Sequence, residues 1–163
     1  MLLQNHINFD RHFIKDNNLQ TDIIGQIEDI EKIFKSDTFM GIICYHVLEH
    51  FYPEDGRELL HKCYRLLKPG GVLAIECPDI SKIVYLAANK LNDFKNIENT
   101  INEIYGDAKR ISEYGESFMH KWGWTKDTCI EYMKRAGFKI KMSGDGISHN
   151  HMERDFRVEG IKA

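Results

Sequence analysis

The sequence has no long apolar run, no excess of positive charge and little proline. A net charge of −3 over 163 residues gives no broad basic surface, so we expect no nucleic-acid partner. No apolar run approaches the roughly 20 residues of a membrane helix, and the first six residues lack the basic flank and apolar stretch of a signal peptide. We therefore expect a cytoplasmic protein without a membrane partner.

Cysteine is also sparse, and no Cys-x-x-Cys pair is present. Widely spaced cysteines within apolar segments are typical of reduced, buried thiols, which agrees with a cytoplasmic location. The four cysteines are Cys44, Cys63, Cys77 and Cys129. The length is that of one domain, which we assign to residues 1–163.

The middle of the chain predicts a strand, a helix and a second strand. Residues 39–45 form a short unbroken apolar run, typical of a strand buried on both faces, where Met40 would be buried. An apolar stripe over 55–67 predicts a helix, and residues 68–71 predict a turn that ends it. A second apolar strand follows at 72–77. This βαβ order implies a parallel pair of strands.

The flanking segments complete an α/β sheet. A short strand is expected near Phe9, and helical spacing of apolar residues begins at Ile27. Thr125 and Gly137 have the residue types of a helix N-cap and C-terminus. Further predictions are a strand within 22–27, an amphipathic helix within 91–104, and late strands at 138–142 and 156–161. The loop between the late strands favours an antiparallel pair at one edge of the sheet.

Three segments together resemble the Rossmann-like S-adenosylmethionine-dependent methyltransferases. They are the "HVLEHF" of residues 46–51, the "LLKPGG" of residues 66–71 and the "PD" of residues 78–79. The "INFD" of residues 7–10 and the "AGF" of residues 136–138 agree with the same family. The resemblance covers about residues 7–162. It implies a mostly parallel sheet with an antiparallel hairpin at the carboxyl-terminal edge.

The family's first strand, glycine-rich loop and first helix should precede Ile7, and residues 1–6 contain no Gly-x-Gly pattern. Relative to the family, the domain is therefore expected to be truncated at its amino end by roughly 30 residues. The absent strand normally lies between the second and fourth strands. We expect those strands to pair directly, or a second copy of the chain to cover the gap, because soluble proteins avoid bare strand edges.

The resemblance implies S-adenosylmethionine as cofactor and assigns four residues to its nucleoside. Asp10 would hold the ribose hydroxyls, with a solvated turn aspartate as the alternative. Arg11 would stack on adenine, or else be an ordinary surface arginine. Gln26 stands where the family often has an acid that accepts from the adenine amino group, and Ile27 lies beside it. Glutamine can still accept and donate there.

At the end of the fourth strand, Cys44, Tyr45 and His46 are implied to flank the reactive methyl group. Open α/β sheets bind ligands at this edge. His46 is the catalytic candidate, because it could take a proton from the methyl acceptor. The alternative is a turn histidine that is hydrogen-bonded to the backbone.

Three further residues are candidates for the acceptor site. His50 opens the helix after the fourth strand, and His120 and Trp122 precede the Thr125 cap. These aromatic rings could form the wall of an acceptor pocket, or could pack a loop onto the sheet. Residues 86–120 occupy the lid region of the family, which varies with the acceptor.

A metal site is weighed and not expected. His46, Glu49 and His50 have a suggestive spacing, but the His-Glu-x-x-His order and an obvious third ligand are missing. Glu49 also suits a structural role at a helix start. His149 and His151 lie in a polar loop, for which solvation is the simpler interpretation.

Two functions from different classes follow. The first is an S-adenosylmethionine-dependent methyltransferase that acts on a small-molecule or carbohydrate-type acceptor, with donor binding weakened by the missing loop. The second is a methyltransferase-like protein that no longer turns over and serves as a binding or assembly partner. A metal-dependent hydrolase is a distant third.

Overall fold

The computed structural model describes residues 7, 9–10, 22–89, 94–147 and 153–163, with the side chains of residues 10, 24, 94 and 96 left out. The strands are β1 (Phe9–Asp10), β2 (Ile23–Ile24), β3 (Phe39–Tyr45), β4 (Leu67–Pro78), β5 (Phe138–Asp145) and β6 (Asp155–Lys162). The helices are α1 (Ile30–Ile33), α2 (Pro53–Leu66), α3 (Ile80–Ala88), α4 (Phe94–Tyr105), α5 (Ala108–Tyr114) and α6 (Lys126–Arg135). Single 3-10 turns lie at Ile27–Asp29, Leu48–His50 and Glu116–Phe118.

Four strands form a mixed sheet in the order β3-β4-β6-β5. β3 and β4 are parallel, with Tyr45 opposite Glu76, while β4–β6 and β6–β5 are antiparallel. The predicted βαβ unit and the antiparallel carboxyl-terminal edge are both confirmed. Because β3 and β4 are parallel, their carboxyl ends lie at the same edge of the sheet.

Helix α2 covers one face of this sheet. It begins at Pro53, two residues before the predicted start, because proline suits the first helical position where an N–H is not needed. Its buried stripe packs on the core and consists of Gly56, Leu59, Leu60, Cys63 and Leu66. Beyond α2, residues 68–71 are not a separate turn as predicted but belong to the long strand β4, which starts at Leu67.

Strand β4 lies in the interior of the sheet. Leu73, Ile75 and Cys77 alternate with Ala74 and Glu76, and all five residues are at most 4% exposed. Burial on both faces is therefore confirmed for this strand. Each of the four cysteines is buried and free, as the sequence predicted.

Strand β3 differs from its prediction. Met40 is 63% exposed and Ile43 is 58% exposed, so the expected burial of β3 on both faces, and of Met40 in particular, is wrong. β3 pairs with β4 along one edge, and among the described residues no strand pairs with its other edge. An apolar strand at the end of a sheet can thus have the composition of an interior one.

The amino-terminal strands form a separate parallel pair. β1 pairs with β2, with Phe9 opposite Ile23 and Asp10 opposite Ile24. The expected direct pairing of the family's second strand with its fourth, here β1 with β3, is therefore wrong within the described residues. Phe34 joins the two sheets, since its ring contacts Phe9 and Phe39 at centroid distances of 6.5 and 4.9 Å.

Helices α4 and α5 fall within the predicted lid region, and α6 follows it. Thr125 caps α6 in a reciprocal capping box with Thr128, and Gly137 follows the helix at φ 104°, as its residue type predicted. Among the described helices, none is both long and apolar enough to cross a bilayer.

Candidate functional site

The backbone turns sharply where β3 ends. His46 lies there at φ 51°, a left-handed conformation that is uncommon for residues other than glycine. Its backbone N–H donates to the carbonyl of Glu76 at 2.9 Å, which holds the turn against the end of β4. An uncommon backbone conformation at a strand end is typical of functional sites.

The His46 ring lies between two buried carboxylates. Nδ1 is 3.2 Å from Oε1 of Glu49, and Nε2 is 3.0 Å from Oδ2 of Asp155. Burial would lower the pKa of His46, but the hydrogen bonds and charges of these two acids outweigh it and raise the pKa to about 9. His46 therefore carries a proton at neutral pH, and in that state it donates hydrogen bonds and cannot accept a proton.

Glu49 is the most deeply buried member of this cluster, at 2% exposure. Burial opposes its charge, yet the interaction with His46 holds the pKa of its carboxyl below the ordinary value. Oε2 accepts from the thiol of Cys77 at 3.4 Å. Oε1 makes no hydrogen bond of good geometry with any described residue, although His46 is close. A buried carboxylate oxygen without a donor is costly, which marks this atom as functionally interesting.

Asp155, at the start of β6, completes the ionic cluster. Although its burial opposes ionisation, hydrogen bonds from His46 and from Arg154 lower the pKa of Asp155 to about 2. Arg154 also lies 3.6 Å from Glu103 of α4, so the cluster extends from the sheet to the lid region. Asp155 was not among the residues predicted from the sequence. An acid directly before a buried strand was the available signal.

His50 and His120, two of the residues predicted to contact the methyl acceptor, are neighbours in the structure. Their ring centroids are 5.1 Å apart at an interplanar angle of 71°. Nδ1 of His50 is 2.9 Å from the carbonyl of Met119, and Nδ1 of His120 is 3.0 Å from the carbonyl of Glu103. Burial lowers the pKa of His120, so this ring is neutral at pH 7.

The segment 119–124 is anchored on the turn after β3. The backbone N–H groups of Lys121 and Trp122 both donate to the carbonyl of Glu49, at 2.8 and 3.3 Å. Trp124 is fully buried and its indole N–H donates to the carbonyl of Leu48. Trp122, by contrast, is 47% exposed. Trp124 therefore packs the loop onto the core. Trp122 instead remains accessible near His50 and His120.

The two other residues at the end of β3 have different surroundings. Cys44 is 6% exposed and belongs to the hydrophobic core, so its thiol points away from solvent. Tyr45 is 37% exposed, and its hydroxyl accepts from Arg157, whose guanidinium also lies 5.6 Å from the ring centroid. Tyr45 is therefore the accessible side chain of this pair.

The residues expected to hold the nucleoside are described in part. The backbone of Asp10 ends β1 beside Ile24, but the Asp10 side chain and all of Arg11 lie outside the described residues. Gln26 is exposed directly after β2. Ile27 lines a groove of about 50 Å³ together with Phe51 and Leu59, well below the about 300 Å³ at which ligand pockets begin. This groove is therefore not a nucleoside pocket.

Comparisons with known proteins bear on the amino-terminal half of the sequence and on the fold. A sequence model of the methyltransferase domain family matches residues 4–75. No curated protein matches the chain at a significant level.

Several solved structures share the fold. A SAM-dependent methyltransferase from Archaeoglobus fulgidus has a TM-score of 0.56 at 15% identity, over 90% of this chain and 69% of that chain. A 1,6-didemethyltoxoflavin-N1-methyltransferase from Burkholderia thailandensis, solved with its substrate and S-adenosylhomocysteine, has a TM-score of 0.55 at 13% identity, over 86% of this chain and 50% of that chain.

A third structure is the complex of the Haloferax volcanii Trm112 methyltransferase activator with a methyltransferase. It matches with a TM-score of 0.55 at 13% identity, over 91% of this chain and 64% of that chain. The chain thus spans between 50% and 69% of the length of these three structures. Residues 4–75 thus match the methyltransferase domain family, and the described fold is similar to that of SAM-dependent methyltransferases.

Proposed function

We propose that the chain acts as an S-adenosylmethionine-dependent methyltransferase on a small-molecule or carbohydrate-type acceptor. One observation carries the proposal. The segment that matches the family includes β3 and most of β4, a parallel pair, and at their carboxyl edge the left-handed turn at His46 meets a buried cluster of charges. Ligands of open α/β sheets bind at that edge.

The donor side of the proposed site consists of the strand ends. Asp10 ends β1 and would hold the ribose. Arg11 and the exposed Gln26, with Ile27 beside it, would contact adenine. β1 and β2 are parallel, so both of these ends lie at one edge of their sheet. Tyr45, with the backbone of Cys44, would face the methyl end.

The described residues fit the cofactor in part. The exposed side chains of Gln26 and Tyr45 offer polar groups to a nucleoside. Family members bind the methionine end through backbone N–H groups of a glycine-rich loop, and the described residues place no such loop beside β3. We therefore expect weak donor binding, since each lost charge-assisted hydrogen bond costs about 1.5–3 kcal/mol.

On the acceptor side, His50, His120 and Trp122 would contact the molecule that is methylated. Methyl transfer is an in-line displacement that depends on alignment, and the acceptor must lose a proton. His46, the catalytic candidate, holds a proton at neutral pH. Since both of its ring nitrogens face carboxylates, His46 in this state would offset negative charge on the acceptor, and the acceptor's proton would pass to solvent.

A second function has an observation in its favour. Met40 and Ile43 expose apolar surface on β3, whose outer edge no described strand covers. A protein or second copy that adds a strand there would complete the sheet, which suits a binding or assembly partner without turnover. One related fold is found in complex with a methyltransferase activator.

Calorimetric titration with S-adenosylhomocysteine separates these functions. We expect saturable binding of one equivalent that weakens about tenfold or more in Asp10→Asn, because the ribose loses a charged acceptor. Asp127→Asn, in the exposed first turn of α6, is the matched control and should bind like the wild type. No heat at millimolar ligand would reject the methyltransferase and favour the assembly protein.

A further inference from the structure

Glu49, His50 and His120 form a cluster that the sequence analysis did not foresee. Glu49 and His50 are adjacent in the 3-10 turn after β3, whereas His120 lies 70 positions later, beyond the lid helices. One ligand atom from each of the three lies within 4.8 Å of the other two. In this cluster His120 takes the place that His46 had in the set considered from the sequence.

The hydrogen bonds of the two histidines fix which ring nitrogen is available. A backbone carbonyl accepts hydrogen bonds and cannot donate them. Nδ1 of His50 and Nδ1 of His120 therefore carry the hydrogen that is donated to Met119 and Glu103. When each ring is neutral, Nε2 is the nitrogen without a hydrogen, and its lone pair is available to bind a metal ion. Metal-binding histidines usually show this arrangement, with the other ring N–H held by a carbonyl or a carboxylate.

Glu49 supplies the third donor. Its Oε1 is buried and makes no hydrogen bond of good geometry with a described residue, although Nδ1 of His46 lies 3.2 Å away as an ion-pair partner. The side chain is 2% exposed, so water does not readily satisfy this oxygen. A cation that two neutral imidazoles also bind would satisfy it.

The surrounding charges favour a cation. Glu49, Asp155 and Glu103 place three carboxylates around the cluster. Two positive groups, His46 and Arg154, are bonded to them. The carboxylates outnumber these two positive groups, and a divalent ion would offset the remaining negative charge.

We propose that Glu49, His50 and His120 bind a divalent transition-metal ion. Two imidazoles and one carboxylate suit Zn²⁺ and its neighbours in the first transition row better than Mg²⁺ or Ca²⁺, which prefer oxygen ligands. The three protein ligands leave further coordination positions for water or a bound molecule. The site lies beside the exposed Trp122, and it stands independently of methyl-donor binding.

Titration of the chelator-treated full chain with Zn²⁺, followed by calorimetry, tests the proposal without any cofactor. We expect one equivalent to bind and to raise the thermal unfolding temperature, because the ion binds the folded state. Co²⁺ in the same site should show visible absorption bands that Zn²⁺ displaces. Mg²⁺ in about tenfold excess should not compete.

Three variants locate the ion. Glu49→Gln, His50→Gln and His120→Gln should each weaken Zn²⁺ binding about tenfold or more. His61→Gln, on α2, is the matched histidine control, and the double variant His149→Gln with His151→Gln removes the loop pair. Both controls should bind like the wild type. If Glu49→Gln fails to fold, as judged by circular dichroism, the two histidine variants decide.

Three results would overturn the proposal. They are no binding to the wild type, equal binding in His50→Gln and His120→Gln, or loss of binding in the loop double variant. Each is distinguishable from failure of the methyltransferase proposal, which is measured with S-adenosylhomocysteine.

Discussion

At the scale of single residues, the candidate site depends on charged groups that the fold removes from water. His46 lies between Glu49 and Asp155, and each pair keeps its charge because the partner is within 3.2 Å. Breaking such a buried pair leaves one charge without compensation, which is more costly than the pair's net contribution to stability. These residues therefore contribute to stability in a pH-dependent way.

Asp155→Asn tests that dependence. The pKa of Asp155 falls from 3.8 to about 2 on folding, so its contribution is present above pH 4 and is lost as pH falls through about 2. We expect the variant to be about 2 kcal/mol less stable than the wild type at pH 7, and the difference to shrink toward pH 2. Urea unfolding at several pH values measures it.

The matched control is Asp127→Asn, which is exposed on α6 and should change stability by no more than about 0.5 kcal/mol. A stability deficit of Asp155→Asn that stays constant from pH 7 to pH 3 would contradict the ionic role of Asp155.

Residue patterns in the sequence located the turn after β3 but did not predict which distant side chains contact it. The segment 46–51 identified His46, Glu49 and His50, and their helical spacing suggested that they are close together. Asp155 and the contact with His120 depend on how distant segments meet, 109 and 70 positions along the chain. No local pattern encodes such contacts, so the place of His120 beside Glu49 and His50 appeared only in the structure.

At the scale of elements, local signals were informative where they set helix and strand limits. Pro53 and Thr125 mark the starts of α2 and α6, and Gly137 follows the end of α6. Local apolar runs did not distinguish interior strand β4 from edge strand β3, since burial depends on neighbours and not on composition. Met40 and Ile43 are exposed because β3 lies at the end of the sheet.

The packing of β6 against α6 gives a prediction at this scale. A Cβ added at Gly160 would lie 2.8 Å from Cε of Met133 and 2.9 Å from Cβ of Phe138. The methionine can move, but the phenylalanine Cβ is fixed by its strand. We expect Gly160→Ala to lower the free energy of unfolding by about 1–3 kcal/mol, as overpacking does.

Gly144→Ala is the control on the neighbouring strand β5. No atom lies within 4 Å of the Cβ that would be added there, so this variant should be close to neutral in the same urea titration. Equal destabilisation by both alanines would show that loss of glycine, and not the close approach, determines stability.

At the scale of the whole molecule, the sheet has an edge at β3 that no described strand covers. Either a second copy of the chain or another protein is expected to cover it.

Self-association of the chain is therefore predicted, and light scattering on size-exclusion fractions measures it. Ile43→Lys should shift the chain toward monomer, because a charge on an edge strand disfavours pairing. Met142→Lys, on the opposite edge strand β5, controls for added charge and should leave the mass unchanged. A wild type that is strictly monomeric at all concentrations would exclude self-association as the cover for this edge.

If the strand ends form the methyl-donor site proposed above, S-adenosylhomocysteine binds beside them. A ¹⁵N-labelled NMR titration with this ligand, followed for each residue, tests this directly. We expect saturable shifts of the amides of Gln26, Tyr45 and His46, with no change at Lys139 on β5. No shifts at millimolar ligand, or shifts confined to residues far from the end of β3, would contradict it.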